Sequence, residues 1–191
     1  MKPLYLLFYY AIAQHFPTQP VPGWRIGYAL RRLLVKRIFR SCGKDVIVKQ
    51  HAYFGLGSTL RVGDRAQIGM NSRIDREVTI GDDVVMGPDV VIMTASHAFE
   101  DPSIPVNQQG AAERKPVAIG RDTWIGTRVI ILPGVEVGEG CIIGAGSVVT
   151  RSIPPFGIAA GNPAKVIRRR GSRCSSIVSE GTIRSEGTLQ G

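Results

Sequence analysis

The chain of 191 residues has little cysteine and little histidine, with three of each. The cysteines, Cys42, Cys141 and Cys174, are odd in number and lack metal-ligand spacing, which indicates reduced thiols in the cytosol. The longest apolar run near the N-terminus, Leu4–Ala13, has ten residues. A helix needs about twenty apolar residues to span a bilayer. These features argue against a disulfide framework and against a spanning helix in this run.

Acidic residues are missing from residues 1–44, although this segment contains eight of the 24 basic residues. The rest of the chain has 16 basic and 15 acidic residues, so the net charge of +9 belongs almost entirely to the N-terminal segment. A nearly neutral body argues against nucleic-acid binding, which requires a basic surface. We therefore expect no nucleic-acid partner.

Residues 1–44 are predicted to form a basic, partly amphipathic helical segment. Apolar residues recur at helical spacing before Gly43, the expected helix stop, and the basic residues are expected on the other face. The apolar positions are Ile26, Leu30, Leu33, Leu34 and Ile38. One interpretation is an anchor on an anionic membrane surface. The others are two helices packed on the next domain, or a secretory leader with Lys2 as its positive start and Ala11-Ile-Ala13 as its cleavage site.

A six-residue repeat dominates the middle of the chain. An aliphatic residue is often followed by glycine, and a small or modest residue lies four places after it. The aliphatic positions are Leu56, Val62, Ile68, Ile74, Ile80, Met86 and Ile92, then, after an interruption, Ile119, Ile125, Ile131, Val137, Ile143 and Val149.

A period of six fits neither an α-helix nor one long strand. It fits a coil in which each hexad forms one flat side, and three hexads close an 18-residue triangular turn around an aliphatic column. Glycine would allow the corner, either through a positive φ or because neighbouring atoms exclude a side chain. The repeat predicts a parallel β-helix over residues 45–170, interrupted by a loop at 98–116. The tail, 171–191, is rich in Ser, Gly and Thr and is predicted to be disordered.

Two segments carry a resemblance to a known family. They are TASHAFEDPSIPVNQQGAAERKPVAIG and DTWIGTRVIILPGVEVGEGCIIGAGSVVTRSIPPFGIAAGNPAKVIR. With the hexads, they resemble the hexapeptide-repeat acyltransferases, most of all the galactoside and maltose O-acetyltransferases. The N-terminal LYLLFYYAIAQHFP is most similar to polysaccharide O-acetyltransferases. The resemblance implies a left-handed β-helix, a homotrimer, acetyl-CoA bound between subunits, and no metal.

His97 is the candidate general base, because it ends a hexad where the coil opens into the loop. Acetyl transfer to a hydroxyl requires proton removal during attack on the thioester, and a neutral imidazole suits this step. His15 and His51 are interpreted as structural. The long loop is expected to reach over the cleft towards a neighbouring subunit and to select the acceptor.

The resemblance also implies roles for other residues. Trp124, Thr127, Ala145, Thr150 and Arg151 match positions that line the cofactor cleft. Lys165 and Arg168 match basic positions near the phosphates of coenzyme A, and a backbone N–H near Gly126 could stabilise the oxyanion. Asn71 and Asp75 resemble residues of the acceptor site.

Other functions stay open from the sequence alone. A carbonic anhydrase on this fold needs three histidines around zinc, but His51 and His97 are 46 residues apart, which is no multiple of six. A membrane-tethered trimeric scaffold without catalysis is also compatible with the fold. Among acetyltransferases the acceptor is a polysaccharide sugar, a free sugar, a serine or an amino sugar. A cytoplasmic location, peripheral on the inner face of the membrane, is expected.

Overall fold

The computed structural model describes residues 2–171. Apart from Gly171, the predicted disordered tail lies outside the described residues, and Cys174 lies there as well. The N-terminal segment contains helix α1 (Lys2–Ala11), a 3-10 turn (Ala13–His15) and helix α2 (Trp24–Ile38). No helix between residues 2 and 171 has the length and apolar character that crossing a membrane requires.

Short strands then wind into a parallel β-solenoid, as the repeat predicts. The strands are β1 (Ser41–Cys42), β2 (Ile47–Val48), β3 (Arg61–Val62), β4 (Gln67–Ile68), β5 (Arg73–Ile74), β6 (Val78–Ile80), β7 (Val85–Met86), β8 (Val91–Ile92), β9 (Val117–Ile119), β10 (Trp124–Ile125), β11 (Ile130–Ile131), β12 (Glu136–Val137), β13 (Ile142–Ile143), β14 (Val148–Val149), β15 (Gly157–Gly161) and β16 (Ala164–Arg169).

The strands form three sheets. The first has the order β1-β3-β6-β9-β12, the second β16-β15-β13-β10-β7-β4-β2 and the third β14-β11-β8-β5. All pairs are parallel except β15 with β16, which form an antiparallel hairpin at the upper end of the second sheet. The segment after Val149 thus leaves the hexad pattern, as predicted.

The register shows where the coil departs from 18 residues. Arg61 pairs with Thr79, one regular turn later. Ser41 pairs with Arg61, so the first turn has 20 residues, and Ile142 pairs with Ile158, so the last turn has 16. The solenoid therefore changes its circumference at both ends and keeps a constant turn in between.

Two residues of each hexad point inwards and form the core, as Ala66 and Ile68 do. The assignment of Leu56 to this column was wrong, because its side chain is 53% exposed. Phe54 and Leu60 take the interior positions around it, and the two additional residues of the first turn leave Leu56 on a bulge. Cys141 occupies a small interior position and is buried.

The glycines that follow the aliphatic residues are required by crowding and not by a positive φ. A Cβ on Gly126 would lie 2.6 Å from the Ala145 nitrogen, and one on Gly120 would lie 2.5 Å from the Glu139 nitrogen. The positive φ falls two residues later, as at Asp122 (54°) and Arg128 (57°). Corner geometry and close stacking of turns are therefore met at separate positions of the hexad.

The helices pack on the lower end of the solenoid. The buried Tyr9 hydroxyl donates to the Ala52 carbonyl at 2.8 Å, and its ring lies 4.6 Å from that of Phe54. The predicted face of α2 was partly wrong, since Ile26 and Leu33 are 64% and 59% exposed. The buried face consists of Gly27, Tyr28, Arg31, Leu34, Val35 and Ile38. Arg31 is fully buried because main-chain carbonyls accept its N–H groups.

The interruption of the repeat is a 21-residue insertion between the third and the first sheets. Val91 pairs with Ile130 across 39 residues instead of 18. The inserted segment is an arm with a narrow base, where His97 and Ala111 form an antiparallel bridge. The turns above and below the arm stack without a gap, so the arm leaves the solenoid intact.

Candidate functional site

The base of the arm places His97 at the mouth of an open groove. The Ala98 N–H donates to the Gly110 carbonyl at 3.1 Å, and the Ala112 N–H donates to the Ser96 carbonyl at 3.0 Å. These bonds hold the residues on both sides of His97, whose imidazole remains exposed. The groove measures ≈ 740 Å³ and is lined by Arg73, Asp75, Val91, Met93, Ala95, Ser96, His97, Asn107, Gly110, Ala111 and Arg114.

Asp75 lies in the floor of this groove, directly after β5. Its carboxylate accepts the Thr94 N–H at 3.2 Å, and the Thr94 hydroxyl donates to the Arg76 carbonyl at 2.8 Å. Thr94 is fully buried, so it ties the start of the arm to the turn below. This contact brings Asp75 and His97, both predicted from the sequence, to one cavity.

A second cavity of ≈ 510 Å³ continues the groove towards α1. It shares Arg73, Asp75 and Arg114 with the first cavity. Its remaining lining is Leu6, Tyr10, Tyr53, Phe54, Gly55, Leu56, Ile74 and Arg76. The groove thus runs from the imidazole past a group of arginines to an aromatic and apolar end.

The arm itself is organised by polar contacts within its tip. Asp101 accepts hydrogen bonds from the Ser103 hydroxyl (2.6 Å) and N–H (2.9 Å), and these bonds lower the pKa of its carboxyl. The Gln109 amide donates to the carbonyls of Asp101 and Ile104 at 2.8 and 2.7 Å. Three large apolar side chains of the arm nevertheless face solvent, namely Phe99, Ile104 and Val106.

Trp124 lies on the outer face of the second sheet, away from the His97 groove in the same chain. It pairs with Ile142, which pairs with Ile158, which in turn pairs with Arg168. Three strand spacings of about 4.8 Å put Trp124 and Arg168 about 14 Å apart in one row. Two residues predicted for the cofactor cleft thus share a surface, and Lys165 lies on the same strand as Arg168.

The other candidates occupy two corners of the solenoid. Gly126, Thr127 and Ala145 lie where the second sheet turns into the third, and the Gly146 N–H donates to the Thr127 carbonyl at 2.8 Å. Thr150 and Arg151 follow β14 at the end of the third sheet and are exposed.

Asn71 is also at the corner between the second and third sheets, with a φ of 55°. Its amide donates to the Asp89 carboxylate at 3.1 Å, in the turn above. Asn71 is therefore absent from the lining of the His97 groove, where Asp75 lies.

The two remaining histidines meet elsewhere. The His15 and His51 rings lie 5.2 Å apart at the junction of the helical segment and the solenoid. Within residues 2–171, no three His, Cys, Asp or Glu side chains are grouped so that they could hold a metal ion. The three-histidine zinc site of the carbonic anhydrase alternative has no counterpart in this part of the chain.

Sequence reasoning missed the arginines of the groove and Arg170. Arg73 and Arg76 flank Asp75, and this proximity was a usable signal, whereas nothing in the sequence places Arg114 of the arm beside them. Arg170 donates to the Asp122 carboxylate at 2.7 Å and to the Gly140 carbonyl at 3.4 Å, fastening the end of the hairpin beside Trp124.

Comparisons with known proteins agree with this architecture. Residues 116–151 match the model of bacterial transferase hexapeptides (six repeats), and residues 59–93 match the hexapeptide repeat of succinyl-transferase. The galactoside O-acetyltransferase of Escherichia coli K12 is 37% identical over 145 residues, which cover 75% of this chain and 70% of that protein. Shorter matches to Staphylococcus aureus proteins named as acetyltransferases are 54% identical over 61 residues and span 31% of their length.

Solved structures extend the likeness. A maltose O-acetyltransferase from Clostridium difficile 630 superposes with a TM-score of 0.70 at 32% identity, covering 88% of this chain and 87% of that one. A hexapeptide-repeat acetyltransferase from Vibrio cholerae, complexed with acetyl coenzyme A, gives 0.58 at 30% identity, covering 74% and 76%. The chain belongs to the hexapeptide-repeat acetyltransferase family, together with the galactoside and maltose O-acetyltransferases.

Proposed function

We propose that this protein transfers an acetyl group from acetyl-CoA to a sugar hydroxyl. The observation that carries the proposal is the exposed His97 imidazole at the mouth of a groove whose floor is Asp75. The relatives are named as O-acetyltransferases of galactosides and maltose, which supports a sugar acceptor.

His97 acts as the general base in this mechanism. It takes the proton from the acceptor hydroxyl while the oxygen attacks the thioester carbonyl, and it returns the proton to the thiolate of coenzyme A as that group leaves. No covalent enzyme intermediate is required, because the thioester is already activated. A backbone N–H near Gly126 is the proposed donor to the oxyanion.

Asp75 orients the acceptor. Its carboxylate is half-buried and receives only one printed hydrogen bond, from the Thr94 N–H, so oxygen lone pairs remain for sugar hydroxyls. The fixed main chain of Thr94 holds this carboxylate in the groove. Asn71 is proposed as a second acceptor residue, acting from the neighbouring corner.

A homotrimer completes the site in this proposal. Trp124 and His97 lie on different faces of one chain, so a second copy must bring the tryptophan surface to the histidine groove. The exposed apolar side chains of the arm, Phe99, Ile104 and Val106, supply a surface that such a copy would cover. Coenzyme A would then lie between subunits, along Trp124, Thr127, Ala145, Thr150 and Arg151.

The basic residues of β16 are assigned to the nucleotide end of the cofactor. Lys165 and Arg168 are exposed at the upper end of the second sheet, in reach of the anionic phosphates. The acceptor is proposed to be a sugar of a surface polysaccharide, on the basis of the N-terminal likeness to that branch.

Radiolabelled acetyl-CoA tests the reaction directly. The full chain should label at least one hexose or hexosamine hydroxyl in an acceptor panel and release free thiol in equal amounts. Mass spectrometry of cell polysaccharides, with and without the active protein, should then reveal a missing acetyl group. Labelling confined to serine or to amino nitrogen would contradict the sugar-hydroxyl proposal.

Peripheral contact with the inner face of a membrane, from the cytoplasm, is part of this proposal. The outer side of the N-terminal helix presents large apolar side chains at helical spacing, while its other side packs on the solenoid. The outward side chains are Leu4, Leu7 and Phe8, followed by Ile12. Exposed basic residues of the same segment, such as Lys36 and Arg40, complement anionic lipid headgroups.

Vesicle sedimentation tests this contact. The full chain should pellet with vesicles containing phosphatidylglycerol and far less with pure phosphatidylcholine, and Leu7→Asp with Phe8→Asp should abolish pelleting. Thr79→Asp, which adds a negative charge on the first sheet, should leave it unchanged. Equal recovery of the wild type from both vesicle types would contradict electrostatic attraction to the membrane.

A further inference from the structure

Three guanidinium groups surround the middle of the groove. Arg73 and Arg114 line both cavities, and Arg76 lines the one towards α1, whereas Asp75 is the single carboxylate in either lining. They come from separate segments, because Arg73 and Arg76 flank Asp75 and Arg114 belongs to the returning side of the arm. The arm therefore concentrates positive charge beside the candidate acceptor site.

These charges are not neutralised within the described chain. In residues 2–171, no ion pair within 4.0 Å joins a carboxylate to Arg73, Arg76 or Arg114. Exposed arginines elsewhere on the solenoid do have such partners, as Arg65 does with Asp83 at 2.6 Å. Arg73 instead lies over the Tyr53 ring, 5.7 Å from its centre. The positive charge of the groove is left for a ligand.

We propose that the acceptor is a phosphate-linked sugar, whose phosphate binds Arg73, Arg76 and Arg114. This inference rests on the proposed acetyl transfer and names its substrate class. With the sugar at His97 and Asp75, the phosphate falls at the arginines, which suit the planar, bidentate recognition of phosphate oxygens. The phosphate keeps its bonds during the reaction, and only the sugar hydroxyl gains the acetyl group.

The far end of the groove determines what the phosphate can carry. Beyond the arginines lie Leu6, Tyr10, Tyr53 and Phe54, so the group on the other side of the phosphate meets aromatic and apolar side chains. A lipid chain and a nucleoside base both satisfy this chemistry. The shared feature is the phosphate, and the acceptor series below separates the two sources.

The test compares matched acceptors with the full chain. For each hexose, the series contains the free sugar, the neutral decyl glycoside, the 1-phosphate, the uridine diphosphate form and the decyl phosphate-linked form. We expect kcat/KM for at least one phosphate-linked form to exceed that of its neutral counterpart about tenfold. Preference for the decyl phosphate form identifies a lipid-linked acceptor, and preference for the nucleotide form identifies a sugar nucleotide.

Two variants link this preference to the arginines. Arg73→Gln and Arg114→Gln should each reduce the preference to below about threefold and leave KM for acetyl-CoA unchanged, while Arg61→Gln on β3 should retain it. Equal use of neutral and phosphate-linked acceptors by the wild type would overturn the inference and leave acetyl transfer standing. A rise in KM for acetyl-CoA alone would also overturn it, since the arginines would then serve the cofactor.

Binding supplies a readout that does not need turnover. Calorimetry with the hexose 1-phosphates should show binding by the wild type that both Arg73→Gln and Arg114→Gln lose. If this pattern appears while no acceptor is acetylated, the phosphate site stands and the proposed reaction fails. Absence of 1-phosphate binding by a protein that acetylates neutral sugars contradicts the phosphate site.

Discussion

The Arg31 guanidinium donates from Nε to the Val48 carbonyl at 2.6 Å and joins α2 to the first turn of the solenoid. Its Nη1 donates to the carbonyls of Ala13 and Phe16 at 2.9 and 2.8 Å. Burial lowers the pKa of this guanidinium, and the nearby phenol of Tyr9 counteracts the shift. One buried side chain thus connects α2, the turn after α1 and the solenoid.

Replacing this side chain should loosen the whole helical segment. Arg31→Met leaves three buried main-chain carbonyls without donors, so we expect the free energy of unfolding to fall by about 3 kcal/mol or more. Hydrogen exchange should increase over residues 2–23 more than over the upper turns. Arg25→Met, which removes only an exposed contact with the Trp24 ring, is the matched control and should cost less than about 1 kcal/mol. Equal losses in the two variants would contradict this role of Arg31.

Close stacking of turns makes two glycines sensitive to a single methyl group. Gly126→Ala and Gly120→Ala would each bring a Cβ within 2.6 Å of main-chain atoms of the next turn, so each should cost about 1–3 kcal/mol in denaturant unfolding. Only Gly126 lies at the proposed cofactor corner. Calorimetry should therefore show weaker coenzyme A binding for Gly126→Ala at a temperature where both variants are folded. The same loss of binding in Gly120→Ala would mean that the effect is general and that the corner has no special role.

Alkaline pH should destabilise the junction between α1 and the solenoid. Burial raises the pKa of Tyr10 from 10.0 to about 12, although the hydrogen bond from the Phe54 N–H opposes the shift. Because the folded chain favours the protonated phenol, stability is constant below pH 10 and falls as the pH rises from about 10 to 12. Thermal melts over this range should show the slope, and Tyr10→Phe should reduce it. A variant that melts with an unchanged pH dependence would remove Tyr10 as its source.

The row from Trp124 to Arg168 should serve the donor and not the acceptor. Trp124→Ala and Arg168→Gln should each raise KM for acetyl-CoA, about tenfold or less, with KM for the acceptor nearly unchanged. Arg61→Gln on the first sheet is the matched charge control for Arg168→Gln. Steady-state kinetics with each substrate varied in turn make the comparison. An effect on the acceptor alone would assign this row to the other substrate.

The repeat could be predicted from sequence because each turn uses the same two interior positions, as Ala66 and Ile68 illustrate. Leu56 misled the assignment because the period was extended downwards into a turn that contains two more residues. Arg31 could not be identified as interior, since its partners are carbonyls that come from distant parts of the chain. His97 was found because a broken repeat is visible in sequence. The Arg114 contribution was not, because the path of the arm depends on its own hydrogen bonds.

Substitution of His97 tests the proposed chemistry most directly. With the acceptor found in the labelling panel, His97→Ala should lower kcat/KM about 10²–10⁴-fold while circular dichroism, oligomeric state and acetyl-CoA binding stay as in the wild type. His15→Ala, which alters a histidine outside the groove, is the matched control and should retain activity. Acetyl transfer by folded His97→Ala at the wild-type rate would contradict the assignment of His97 as the general base.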